Sequence, residues 1–358
     1  MPHNIPLALT FDDVLIQPGY SNILPSDANL SSQISPHLTL AIPFMSAAMD
    51  TVTETAMAIE MAKLGGIGVI HRNMSIDAQS HMVAQVKAQK LLVGAAIGAT
   101  EANLPRAEAL IKAGVDLLVI DTAHGHSQNV ANMMQACRAL VGQKPITLMA
   151  GNVATADAAA FLFKAGADVV KVGIGPGAIC TTRVVAGVGV PQLSAIMAVA
   201  AMAKQLGKNC VADGGLRYSG DVAKALAAGA AAVMMGSLLA GTDETPGTIT
   251  DGFKSYRGMG SVEAMQAGSA ERYGQKANTD SQKLVPEGVS GRVAAKGPVS
   301  HIVQQLQGGV QASFGYVGAA DLNSFQNLAN FVQITAAGRA ESHPHSLNSI
   351  SKTTNYGG

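Results

Sequence analysis

The stretch Gly173-Ile-Gly-Pro-Gly-Ala-Ile-Cys-Thr-Thr-Arg183 puts a thiol, Cys180, at the end of a glycine-rich run that directly follows a short apolar segment. Glycines allow backbone angles and close ligand approach that a side chain would forbid. An exposed thiol on such a loop suits a covalent nucleophile, because the thiolate is the reactive form and a nearby cation, here Arg183, favours it. The plainer alternative is a structural turn with an incidental buried thiol. Cys137 and Cys210 sit in helix-like and strand-like apolar surroundings and read as inert core thiols. Three scattered cysteines build neither a disulfide framework nor a zinc site, and they fit a reducing compartment.

Two later segments have the character of a phosphate cradle: Asp213-Gly-Gly-Leu-Arg217 and Gly236-Ser237. Backbone N–H groups of such turns point at an anion, and in a barrel the loops after the seventh and eighth strands are where they serve this purpose. A Gly-Gly turn alone is an ordinary tight connection; two on adjacent strands favour phosphate. Asp213, at a strand end, could bond ribose hydroxyls or simply cap the next helix.

The elements that would position these residues repeat along the chain. Lys112-Ala-Gly-Val-Asp-Leu-Leu-Val-Ile-Asp121, Lys164-Ala-Gly-Ala-Asp-Val-Val-Lys-Val-Gly173 and Ala227-Ala-Gly-Ala-Ala-Ala-Val-Met-Met-Gly236 share one pattern, with a looser copy at Lys63-Leu-Gly-Gly-Ile-Gly-Val-Ile-His71. Each reads as a helix end, a left-handed glycine, then a buried strand that delivers its last residue to a loop. Further apolar runs at Ile42–Ser46, Leu91–Ile97, Ile146–Ala150 and Asn209–Asp213 bring the count to eight strands, with helical segments such as Asp157–Lys164 and Ser194–Leu206 between them. Eight alternating units predict an α/β fold, a closed (β/α)8 TIM barrel over 1–358, with its site on the loops after the strands.

After the eighth strand, 241–298 is too long for an ordinary connection and reads as a lid or a disordered segment, an active-site flap. Helical pattern resumes at Val299–Leu306 and again at Ser324–Phe331, and the polar tail 340–358 reads as frayed or held by another subunit.

Composition narrows the function. The chain has 358 residues, 48% hydrophobic and 13% charged, against roughly 25% charged in an ordinary domain, which suggests much interior and much contact surface. A formal net charge of zero and no basic run argue against nucleic acid. Mean hydropathy is positive, but apolar stretches such as Leu91–Ala99 fall far short of the roughly 18 residues a membrane span needs. Met1–Thr10 lacks the basic and apolar regions of a secretory signal, so a cytoplasmic location is expected.

Together Gly173–Arg183, Ala212–Arg217, Met235–Gly241 and Ser255-Tyr-Arg-Gly-Met-Gly-Ser261 resemble the inosine monophosphate dehydrogenase family, which also contains guanosine monophosphate reductase. The similarity extends to Leu9–Leu15, Met45–Val52 and Lys283-Leu-Val-Pro-Glu-Gly288, so it spans nearly the whole chain. The resemblance implies NAD-dependent oxidation of inosine 5'-monophosphate (IMP), in guanine nucleotide synthesis, with Cys180 attacking C2 of the purine. A flap carrying Arg272-Tyr273 would then replace the departed cofactor; Arg272 would help activate water and Thr182 would position it.

The resemblance further implies substrate contacts from Met49, Asp213, Gly215, Gly236, Ser237, Tyr256, Gly258, Met259, Gly260 and Glu287, and cofactor contacts from Asp121, Thr122, Asn152 and Gly173. Carbonyls of Gly175, Gly177 and Cys180 would hold potassium, completed by Glu341, Ser342 and His343 of a neighbouring subunit, which implies a homotetramer. Of two His-x-His pairs, His124/His126 and His343/His345, neither has a third metal ligand nearby, and the first reads as lining the cofactor loop.

Relatives usually carry paired regulatory nucleotide-sensing (CBS) modules between strands two and three, where Val86-Lys-Ala-Gln-Lys90 joins the flanks here, so no such control is expected. Ala178 stands where the family has a serine that contacts substrate phosphate, and Ala295 where relatives often have tyrosine. One lost charge-assisted hydrogen bond would weaken substrate binding by roughly 1–3 kcal/mol. The nearest rival is the NADPH-dependent reductase, favoured by Tyr316-Val-Gly-Ala-Ala320 and the compact length. Arg272, Tyr273 and Glu287 favour the dehydrogenase. A silent nucleotide-binding scaffold would not need Cys180, Thr182 and Arg272 together.

Overall fold

The computed structural model describes residues 5–276, 280 and 283–347; the part of the expected tail from 348 onward, and residues 277–279, 281 and 282 of the expected flap, lie outside them. Eight strands close into a parallel barrel: β1 (Phe44–Ser46), β2 (Ile67–Ile70), β3 (Val93–Ile97), β4 (Leu117–Asp121), β5 (Thr147–Val153), β6 (Val169–Val172), β7 (Asn209–Asp213) and β8 (Ala232–Met235), with β8 pairing back to β1. Each coincides with an apolar run marked in the sequence.

Helices α1 (Thr55–Lys63), α2 (Ile76–Ala88), α3 (Leu104–Lys112), α4 (Gln128–Val141), α5 (Ala156–Lys164), α6 (Gln192–Gln205), α7 (Ser219–Ala227) and α8 (Val299–Val317) follow the strands in turn. The repeated phrase does what its glycine requires. Gly65, Gly114, Gly166 and Gly229 all stop a helix with φ between 90° and 110°, a region side chains avoid, and the chain then turns into a strand.

Two apolar layers result. One lies between strands and helices; the other fills the barrel with Met45, Ile67, Leu117, Val119, Met149, Val169 and Val211. Its N-terminal end is plugged by a hairpin, Ser32–Ser35 with Leu38–Leu40, which inserts Ile34, Leu38 and Leu40 into that interior. Hydrogen bonds from Ser32 Oγ to Ala231 O (2.6 Å) and from Asn209 Nδ2 to Gln33 O (2.9 Å) satisfy its polar edge.

Three expectations are corrected. Of the two readings of 241–298, a lid or a disordered segment, disorder is overturned among its described residues: they contain the antiparallel hairpin β9 (Phe253–Arg257) with β10 (Ser290–Ala294), a short helix Val262–Gln266 and a 3₁₀ turn Ser269–Tyr273. The helix expected at Val299–Leu306 runs on to Val317, through Gly308-Gly309; glycine is needed at 309 because a side chain there would collide with Ser219 of α7. The helix expected at Ser324–Phe331 is Leu322–Leu328, started by the Asp321 carboxylate accepting from Ser324 N (2.7 Å). Phe331 instead opens a strand that pairs with Val14–Ile16. Among the described residues no helix is long and apolar enough to cross a membrane.

Candidate active site

Alternate residues of a strand share a face, so the strands that fill the barrel below also furnish its mouth. Val119, Val169 and Val211 belong to the dry interior. Two residues further on, the same faces of β4, β6 and β7 carry Asp121, Lys171 and Asp213.

Lys171 is buried, with 2% of its side chain exposed, and its ammonium lies 3.0 Å from Asp121 and 2.5 Å from Asp213. It also donates to Asn152 Oδ1. Asn152 Nδ2 in turn donates to Asp213 (2.9 Å) and to Gly173 O (2.8 Å). Sequence reasoning missed Lys171, although the signal was present: a charge inside the apolar strand Val169-Val-Lys-Val172 has to be paired when buried.

Arg272 reaches the same cluster from 241–298, donating through Nε and Nη2 to the two Asp121 oxygens at 2.7 and 3.0 Å. Burial alone would raise Asp121, but the charges and hydrogen bonds of Arg272 and Lys171 outweigh it and hold the carboxyl well below the usual range. Burial would likewise lower Arg272, yet Asp121 keeps its guanidinium above its ordinary value. Neighbouring Tyr273 is pushed up to about 12, chiefly by burial, so its phenol stays protonated.

Cys180 follows β6 on a loop whose first glycine is required: at Gly173, φ is 151°, and a Cβ would sit 2.2 Å from Asp213 O. The thiol is half-buried and lies 3.2 Å from Thr182 Oγ1, to which it donates. Arg183 clamps the loop by donating to Ile174 O (3.2 Å) and Val190 O (2.6 Å). By contrast, burial pushes the Cys137 and Cys210 thiols up to about 12, as expected of core residues.

Backbone hydrogen bonds stitch the thiol loop to 241–298, from Thr181 N to Glu287 O (2.9 Å) and from Val289 N to Ile179 O (3.0 Å), while Gly258 N to Val289 O (3.0 Å) and Glu287 N to Gly260 O (3.0 Å) tie together the two limbs of 241–298. Arg257 ties β9 to the end of β1 by donating to Asp50 at 3.1 and 2.7 Å. Glu271, another residue the sequence did not single out, accepts from Arg72 (2.9 Å), Thr100 Oγ1 (2.7 Å) and Asn103 Nδ2 (3.0 Å).

These walls enclose a concave cleft at the C-terminal mouth of the barrel. Met49, Asp121, Asn152, Gly173, Gly175, Gly177, Cys180, Thr182, Asp213, Gly215, Gly236, Ser237, Tyr256, Gly258, Met259, Arg272, Tyr273 and Glu287 all line it, and so do Lys171 and Ala178. A Cβ on Gly236 would meet Met49 Sδ and the Tyr256 hydroxyl, each at 3.0 Å. Burial raises that buried hydroxyl above its ordinary value, so it stays neutral.

Two candidates stand behind the cleft wall. Thr122 donates to Gly151 O (2.7 Å), and Gly260 leaves room for the Tyr273 ring. Glu341, Ser342 and His343 are not brought to the thiol loop within one chain: Ser342 and His343 line a separate depression with Asp12 and Tyr218, and Glu341 ends the helix Ala336–Glu341. His124 and His126 have ring centroids 6.4 Å apart, with His126 against Phe161 rather than in the cleft. Among the described residues, no group of three or more His, Cys, Asp or Glu could hold a metal ion.

Residues 8–345 match the family model described as IMP dehydrogenase / GMP reductase domain. The inosine-5'-monophosphate dehydrogenase of Cryptosporidium parvum is 42% identical over 400 residues, covering 99% of this chain and 98% of that protein. That of Streptococcus pyogenes is 40% identical over 479 residues, covering 97% of each, and that of Rhizobium tropici 41% identical over 471, covering 95% and 94%. All three alignments are longer than this chain's 358 residues, so each of these relatives carries residues with no counterpart here, fewer in the first than in the other two.

Proposed function

Since the chain belongs to the IMP dehydrogenase / GMP reductase family, we propose that it oxidises IMP to xanthosine 5'-monophosphate with NAD, through a covalent adduct on Cys180. The observation that carries this reading is the convergence on one cleft of a half-buried thiol with a hydroxyl partner and of an arginine-tyrosine pair seated on Asp121.

The Cys180 thiolate would add to C2 of the purine and, once C2 has given up its hydride, remain bonded as a thioimidate; water then adds at C2 and the thiolate leaves. NAD, when bound, supplies the hydride acceptor. Thr182, already hydrogen-bonded to the thiol, is placed to orient water at the same carbon. Arg272, held as a cation by Asp121, would stabilise charge as water adds. Asp121 fits the cofactor's amide as a buried, ionised acceptor, and Arg272 now occupies both its oxygens, so the two would take turns on one carboxylate. Asn152 and Thr122 would complete that side.

The phosphate would meet backbone N–H groups at Gly215, Gly236 and Ser237 with the Tyr256 hydroxyl, and the ribose would meet Asp213. Ala178 lines the cleft without a hydroxyl to add. We also read the oxygens of Gly175, Gly177 and Cys180 as one half of a potassium site, the hard ligands such an ion prefers, with Glu341, Ser342 and His343 of a second copy in a tetramer as the other. Three free thiols fit a reducing cytoplasm. We take the chain as one catalytic barrel without regulatory modules, since α2 ends at Ala88 and β3 begins at Val93 with only a turn between.

The test is formation of reduced nicotinamide by the purified protein with IMP, NAD and potassium, beside a parallel mixture of guanosine monophosphate and NADPH. Reduction in the first mixture alone supports the dehydrogenase. Oxidation in the second alone moves the assignment to the reductase, and silence in both points to another purine or a non-catalytic role.

A further inference from the structure

Two adjacent residues of opposite charge dock into two sockets of opposite charge. Arg272 sits on Asp121 at the end of β4, while Glu271 sits beyond the ends of β2 and β3 on Arg72, Thr100 and Asn103. The second socket is made for an anion. Arg72 Nη1 reaches one Glu271 oxygen at 2.9 Å; Thr100 N (3.2 Å), Thr100 Oγ1 (2.7 Å) and Asn103 Nδ2 (3.0 Å) reach the other.

The Arg72 side chain is 8% exposed, and its Nη2 is buried with no hydrogen-bond partner among the described residues. Arg106 stands close by, fixed on Gln79 Oε1 (2.7 Å) and Met74 O (2.8 Å). Burial and then the repulsion of Arg72 lower Arg106, and the Glu271 charge opposes this. Without that carboxylate, two guanidinium groups would share a desolvated seat with no counter-charge, an arrangement that strongly favours whatever restores one. Burial would raise Glu271 itself, but the Thr100 hydrogen bond, the Arg72 charge and Asn103 together hold it below its usual range, so it stays ionised at neutral pH.

Glu271 does not line the cleft and touches none of the residues assigned to chemistry except through the chain. We propose that Glu271 is the latch of the turn Ser269–Tyr273: its seat on Arg72, Thr100 and Asn103 sets how long Arg272 stays on Asp121, and hence the balance between Arg272 and a dinucleotide at that carboxylate. It is a positioning residue, and its effect on turnover rests on the reaction proposed above. The alternating charges also fix the register of the turn. A slip of one residue would present Glu271 to Asp121, and like charges buried together are excluded.

Glu271→Gln keeps the shape and removes the charge. Amide hydrogen exchange over 269–274 is expected to rise about tenfold or more, the effect of one lost charge-assisted contact, with β4 and β6 unchanged. In turnover, kcat is expected to fall about tenfold while the first-turnover burst of reduced nicotinamide stays within about twofold. KM for NAD is expected to fall, because Asp121 is freed more often; general damage to the fold would raise it. Glu271→Asp should recover part of each effect. If Glu271→Gln fails to fold, Thr100→Ala removes one donor and should shift every readout the same way by less.

Unchanged exchange over 269–274 in the folded variant overturns the latch, as does a parallel loss of burst and kcat with a higher KM for NAD. Should the unaltered protein form no reduced nicotinamide at all, the reaction is at fault, and the exchange result alone decides the latch.

Discussion

The two ends of the barrel interior are built by the same strands and obey different physics. Toward the N-terminal end, Ile34, Leu38 and Leu40 from the plugging hairpin meet Met45, Ile67, Leu117 and Val169, all at most 2% exposed. One inward position beyond Val119, Val169 and Val211 on β4, β6 and β7, the row becomes Asp121, Lys171 and Asp213, with Asn152 among them. The lower half is held by non-directional burial, which tolerates reshaping as long as volume is kept. The upper half is a set of charges each balanced by another, where losing one member strands the rest. Stability below and chemistry above is the division this architecture imposes, since only the loops after the strands vary without disturbing the closure of the sheet.

The largest effect belongs to the thiol: Cys180→Ala is expected to lower turnover by about a thousandfold or more, about 4 kcal/mol of barrier, while calorimetry finds nucleotide binding retained. Loss of binding in step with turnover would show that Cys180 holds the loop rather than reacts. Lys171→Met comes next. It should destabilise by about 3–5 kcal/mol in chemical denaturation, because Asp213 and Asp121 lose a shared buried cation. A loss under about 1 kcal/mol would mean the upper row is held by something other than charge balance.

Leu117→Ala in the lower half should lose about 2–5 kcal/mol of stability by cavity formation, with kcat per folded molecule unchanged. A change in kcat there would erase the division between the halves. The smallest effects concern the other thiols. Cys137 and Cys210 are raised in the fold from 9.0 to about 12, so the stability tied to their neutral forms is complete below pH 9 and lost as pH climbs toward 12. Denaturation midpoints measured across that window should decline. At neutral pH, iodoacetamide should label Cys180 well before either; equal labelling of all three would contradict the burial described.

Much of this was legible in the residues. The helix-glycine-strand phrase located four junctions because only glycine suits the left-handed turn, and the short β-branched runs located the strands because both faces of a parallel sheet are buried. The cleft was readable wherever a loop directly followed a strand, as at Cys180 and Asp213. What escaped depended on distant partners. Lys171 looked like one charge in an apolar run, and its meaning appears only when β4, β5 and β7 bring Asp121, Asn152 and Asp213 around it. Glu271 was invisible for the same reason, since Arg72, Thr100 and Asn103 lie far away along the chain. The order inside 241–298 was hidden by its glycine and lysine content, because its hairpin is held by tertiary ties such as Arg257 to Asp50 rather than by propensity.

The proposed bond between Cys180 and the purine is decided by quenching the protein in acid during turnover with IMP and NAD and locating adducts by tandem mass spectrometry. A nucleotide-sized mass is expected on the peptide containing Cys180, present only when both IMP and NAD were supplied and enriched in Arg272→Ala, where hydrolysis should be slowed. Reduced nicotinamide formed with no adduct on Cys180, or with the adduct on another residue, would contradict it.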